Sequence, residues 1–110
     1  MTNYLVECSY TPQALAALIK QPQNRLDTAI KPLIEKAGGR VTNGWFSGNT
    51  DRHVIFVAEL PNTVTTATIS YAVEATGALR DLRITPLLSP DEFVESLRKA
   101  STLNYHPPGA

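Results

Sequence analysis

The sequence holds only one cysteine and two histidines. Cys8 alone cannot form an internal disulfide. Cys8, His53 and His106 match no zinc spacing, so no metal site is expected. Neither sign of charge is in surplus, since ten Lys and Arg face ten Asp and Glu. A nucleic-acid or anionic-membrane binder would carry a basic excess, so neither partner is expected. No apolar run approaches the ~20 residues of a membrane span. Met1 to Tyr10 has no Lys or Arg and includes Glu7, which excludes a secretory signal and leaves a cytoplasmic location as the expectation. Gly-x-Gly-x-x-Gly and Walker A patterns are absent too, so no cofactor has sequence support. What is present is 110 residues, 43% hydrophobic and 18% charged. Those figures fit one soluble domain with an adequate core.

The chain alternates strand and helix signals. Asn3–Tyr10 is aromatic and aliphatic without Gly or Pro, and reads as a strand. Thr11 and Pro12 suit the cap and first position of a helix whose Leu15, Leu18 and Ile19 follow helical spacing. After Pro22 a second helical stretch spans Arg25 to Ala37. Leu26, Ile30, Leu33 and Ile34 share its stripe, Pro32 predicts a kink, and Gly38-Gly39 ends it. Arg40–Ser47 and Arg52–Leu60 read as strands joined by the Gly48-Asn49-Thr50-Asp51 turn. Val64, Ala67, Thr68, Tyr71, Ala72 and Ala75 set the apolar stripe of the next helix, with Tyr71 in the core. Leu79–Leu88 is the fourth strand, and Pro86 marks it as an edge or bulged strand. Ser89-Pro90-Asp91-Glu92 is a capping box that opens a last helix with Phe93, Val94 and Leu97 on its apolar side. Residues 1–103 form the domain and 104–110 a flexible tail.

The order β-α-β-β-α-β plus a C-terminal helix predicts an α+β, ferredoxin-like fold. Its four-stranded antiparallel sheet has order 4-1-3-2, with the helices on one face. Strand alternation places Val6, Cys8, Val54, Phe56, Ala58, Leu82 and Ile84 under the helices. The opposite parity collects Leu5, Glu7, His53, Ile55, Val57, Arg83 and Thr85. Leaving those aliphatics in water is unfavourable, so a second copy is expected to pack sheet to sheet and close a barrel-like interior. Glu7, His53 and Arg83 are its candidate catalytic groups: His53 or Glu7 to move a proton, Arg83 to hold an anion. The plainer alternative is a Glu7–Arg83 ion pair that fixes the register of the dimer.

The chain resembles the GYD domain family, small bacterial proteins akin to the dimeric α/β-barrel group. The resemblance runs from Tyr4 to Leu97. It rests on Tyr4-Leu5-Val6, Tyr10-Thr11-Pro12-Gln13, Arg25-Leu26, Gly38-Gly39-Arg40-Val41, Asp81-Leu82-Arg83-Ile84-Thr85 and Pro90-Asp91-Glu92-Phe93. The naming motif falls on Gly48-Asn49-Thr50-Asp51, where Thr50 replaces the motif tyrosine. The resemblance implies the fold and a homo-oligomer, and no established reaction.

Leu5, Ile55, Val57, Thr85, Trp45 and Asp51 complete the candidate ligand-binding set. Asp51 is either a base at the cavity mouth or a residue that bonds its own turn. Of Trp45 and Phe46, one is expected in the core and the other against a partner subunit. Cys8, under the helices, reads as a small hydrophobe. The leading functional expectation is a homo-oligomer that binds a small organic molecule between facing sheets. A cofactor-independent isomerase, cyclase or monooxygenase-like enzyme comes next. A structural accessory subunit, whose mixed face is consumed by assembly, is the third.

Overall fold

The computed structural model describes residues 1–49 and 51–109. The naming-motif position Thr50 therefore lies outside the described residues, as does Ala110 at the end of the tail. Strand β1 (Thr2–Tyr10) leads into α1 (Pro12–Lys20), then a π turn (Leu26–Ile30) that runs into α2 (Lys31–Lys36). Strands β2 (Arg40–Asn49) and β3 (Arg52–Leu60) form a hairpin. Helix α3 (Thr63–Glu74), strand β4 (Leu79–Leu87) and helix α4 (Pro90–Ala100) complete the order. The sheet order is β2-β3-β1-β4 with every neighbouring pair antiparallel, the expected ferredoxin-like arrangement. Pro86 stands in β4, an edge strand, where its missing N–H costs no ladder bond on the solvent side.

Local chemistry explains the boundaries. Thr11 caps α1 by accepting the Ala14 N–H, and Pro12 takes the first helical position. Where a kink is expected at Pro32, the structure has the π turn. Pro32 has no N–H to offer the Thr28 carbonyl, and the Lys31 N–H reaches back to the Leu26 carbonyl instead. Gly38 ends α2 in the left-handed conformation (φ +89°), with the Gly39 N–H donating to the Ile34 carbonyl at 2.9 Å. Gly39 is also held against β3, because a Cβ there would strike the Glu59 carbonyl oxygen.

The core lies between the sheet and helices α2 and α3. Val6, Cys8, Val54, Phe56, Ala58 and Leu60 from the strands meet Ile34 from α2 and Ile69 from α3. Leu82 and Ile84 pack against this cluster partly buried. The helix-facing strand residues are thus those the alternation selects.

Two expectations about the helices are corrected. On α3 the sheet-facing side carries Ile69 and Val73, and Tyr71 is 72% exposed. The sequence offers two competing apolar stripes on this helix. The polar residues on the buried side are tolerated because Thr66 and Ser70 donate their hydroxyls to the Asn62 and Thr66 carbonyls. On α4 the capping box forms as expected, but the apolar side is left half in solvent and joins no buried cluster among the described residues: Phe93 is 55% and Leu97 54% exposed. With α4 standing off the body, the radius of gyration is 17.2 Å and the longest dimension 56 Å. A compact chain of this length would have a radius near ~13 Å. Asn104–Gly109 continues beyond it without helix or strand.

Candidate functional site

The face of the sheet turned away from α2 and α3 is uncovered. Strand register builds it in rows. One row runs Trp45, Ile55, Glu7, Arg83, and the next Asn43, Val57, Leu5, Thr85. Leu5, Glu7, Ile55 and Val57 are half-buried by their neighbours on the central strands. Arg83 and Thr85, on edge strand β4, are exposed. Trp45, on edge strand β2, is 57% exposed. Phe46 is exposed as well, so neither aromatic of the pair enters the core of this chain. A central carboxylate is therefore flanked by aliphatic groups and bounded by an indole on one edge and a guanidinium on the other.

Glu7 is not paired with Arg83. Its carboxylate lies 3.4 Å from the Arg52 guanidinium, with both side chains about three-quarters buried. Among the described residues no carboxylate comes within ion-pair distance of Arg83. The structure thus neutralises the central acid internally and leaves the edge cation unclaimed.

His53 does not join Glu7. The β1–β3 ladder ends at Cys8↔Val54. Beyond it the Tyr10 N–H, which a continued ladder would direct to the Arg52 carbonyl, donates to His53 Nδ1 at 2.9 Å. Acceptance at Nδ1 places the proton of the neutral ring on Nε2. The imidazole stacks on the Tyr10 ring with centroids 6.0 Å apart and planes at 18°. Because His53 closes the strand end in this way, Arg52 turns to Glu7. One signal for this exists in the sequence. By parity Arg52 would fall on the helix-covered face, and a charged group there marks a break in the alternation.

Asp51 acts through its backbone. Its carbonyl accepts from the Ser9 hydroxyl at 2.7 Å, and its N–H donates to Asn49 Oδ1 at 2.9 Å. Asn49, not Asp51, therefore supplies the side-chain acceptor that shapes the turn. Ser9 is fully buried, so this bond ties the hairpin to the central strand.

A second concavity lies on the other side of the sheet, between it and α2 and α3. This apolar cleft holds about 330 Å³. A shallower groove beside it is walled by α1 residues and β2, with His53 in its lining. Tyr10 and Arg25 line both, so they stand where cleft and groove meet. Burial raises the Tyr10 phenol above its ordinary pKa, and the neighbouring Arg25 guanidinium opposes that shift. Cys8, also in the cleft, is pushed up to about 11 by burial, so its thiol stays protonated and weakly nucleophilic at neutral pH. Neither Tyr10 nor Arg25 stands out in the sequence as a site residue. Their one visible signal is position, at the end of a strand and the start of a helical stretch.

Among the described residues, no three His, Cys, Asp or Glu side chains converge as metal ligands would. No helix among them is long and apolar enough to cross a membrane. A family model described as the GYD domain matches residues 4–97. No curated protein matches, and no solved structure does.

Proposed function

The chain belongs to the GYD domain family, and on that premise we propose that it acts as a homodimer that binds a small organic molecule between two facing sheets. The observation that carries this reading is the uncovered row Trp45, Ile55, Glu7, Arg83 beside Val57 and Leu5. Two such faces, related by a two-fold axis, bury their aliphatic centres against each other. Arg83 at the edge of each face, free of any carboxylate partner among the described residues, is the group that meets an anionic ligand. The Glu7–Arg52 pair sets polarity inside the cavity without demanding a charged ligand. The single free cysteine is in keeping with a reducing cytoplasm.

The enzyme reading draws less support. A Glu7–His53 proton relay needs the imidazole beside the carboxylate, whereas Nδ1 is engaged by the Tyr10 N–H and the ring lies on Tyr10. The structural-subunit reading differs from binding in its outcome, because an assembly whose faces close without a cavity retains no ligand.

Native mass spectrometry tests the proposal. The wild-type chain is expected as a dimer that carries a small-molecule adduct when isolated gently from its host. Val57→Lys, which sets a charge at the centre of the face, is expected to leave folded monomers. Arg83→Gln is expected to keep the dimer and lose an anionic adduct. A wild-type monomer at micromolar concentration defeats the facing-sheet arrangement. A dimer that Val57→Lys leaves intact does so as well.

A further inference from the structure

We propose that the cleft between the sheet and helices α2 and α3 is a second binding site, for a molecule with an apolar body and a carboxylate end. It is independent of the facing-sheet reading, since it lies on the other side of the sheet and within one chain.

Size and lining point to such a ligand. Protein interiors are close-packed, with few voids larger than a water molecule. A cleft of about 330 Å³ in a 110-residue chain is instead at the lower end of the range of small-molecule pockets. Its floor is Val6, Phe56 and Ile84, and Leu33 and Val73 stand on the helix side. Hydrocarbon on most of the wall favours an apolar body.

The charged and aromatic polar groups gather at one end. Arg25 is half-buried where the cleft meets the outer groove. Among the described residues no carboxylate lies within ion-pair distance of it. Its guanidinium donates to the Gln23 amide oxygen at a long 3.3 Å and stands beside the Tyr10 hydroxyl. Five N–H donors in a planar fork suit a carboxylate, and this fork has no such partner among the described residues. Tyr10 is a fixed neighbour, because its ring is stacked on His53 and its backbone N–H holds that imidazole. A cation next to a phenol at the end of an apolar cleft selects an amphiphilic acid. A neutral analogue leaves the guanidinium without its anion, and an amine is repelled.

Methyl NMR on the full-length chain, titrated with octanoate and separately with octanol, tests this. Octanoate is expected to shift the methyl signals of Leu33, Ile69, Val73 and Ile84 and to leave those of Leu5, Ile55 and Val57 in place. Arg25→Gln should weaken octanoate about tenfold or more and leave octanol unchanged. Val73→Phe should fill the cleft and abolish both, with the open-face methyl signals reporting an intact fold. Ala29→Leu, at another point of the lining, serves the same purpose if the larger ring is not accommodated. No shift at saturating octanoate overturns the proposal. So does equal affinity of the wild-type chain for the acid and the alcohol. Shifts confined to Leu5, Ile55 and Val57 also overturn it, and place the ligand on the facing-sheet surface instead.

Discussion

Glu7 and Cys8 are adjacent on the central strand β1, and they meet opposite environments. The Cys8 thiol is enclosed in the core, and burial lifts its pKa from 9.0 to about 11. Between those values the unfolded chain binds fewer protons than the folded one, so stability falls as pH rises. From pH 8 to pH 10.5 the loss due to this group is expected to be about 2 kcal/mol. Burial also raises Tyr10, which acts in the same direction as pH rises past the ordinary phenol value. Urea unfolding midpoints at the two pH values check this, and Cys8→Ala should flatten the dependence. Glu7, one face away, keeps a charged partner in Arg52. Alternation made both placements legible. It did not reveal the partner of Glu7, because that depends on His53 leaving the regular ladder.

The local signals at the ends of the elements are explicit in the sequence. Thr11-Pro12, Gly38 and Ser89-Pro90-Asp91-Glu92 each start or stop a helix where the structure does. In the last of these, Ser89 Oγ accepts the Glu92 N–H at 3.1 Å, and Glu92 accepts the Ser89 N–H at 2.8 Å. That bonding lowers the Glu92 pKa below the ordinary carboxylate value. The box is therefore complete above the usual carboxylate range and is lost as pH falls through the lowered value. Ser89→Ala is expected to reduce helical circular dichroism from α4 without moving the thermal midpoint of the body, because α4 is exposed along its whole length. A midpoint shifted by several degrees would mean that α4 is packed in solution. Which face of a helix is buried is less explicit. On α3 the stripe of Val64 and Tyr71 is as apolar as that of Ile69 and Val73. Hydroxyls satisfied by the helix backbone disguised the buried side as polar.

At the scale of the molecule, one sheet presents two different surfaces. The helix side is a core with an apolar cleft in it, and the other side is a patch of aliphatic groups around a neutralised acid. Association through that patch would rest on Leu5, Ile55, Val57 and Trp45, whose contribution is burial of apolar area and not charge attraction. The proposed dimer is therefore expected to persist when salt is raised from about 0.1 M to about 1 M, where the screening length falls from about 10 Å to about 3 Å. Light scattering after size exclusion measures this, and dissociation at high salt would show that the charged groups carry the contact.

Strand and helix order, the four-stranded antiparallel topology, the helix-facing residues of the strands and the capping of the helices are all legible in the residues alone. These follow from periodicity, turn residues and short-range hydrogen bonding, which act over a few neighbouring positions. That Arg52 and not Arg83 holds Glu7, and that His53 closes the end of a strand against Tyr10, emerges only in the folded chain. So does the stand-off of α4 from the core, and the meeting of Tyr10 and Arg25 at the end of a cleft. Each of these depends on where two elements distant in the chain come to rest. A one-residue break in a ladder, or the choice between two similar helix stripes, redirects side chains that no local pattern can follow.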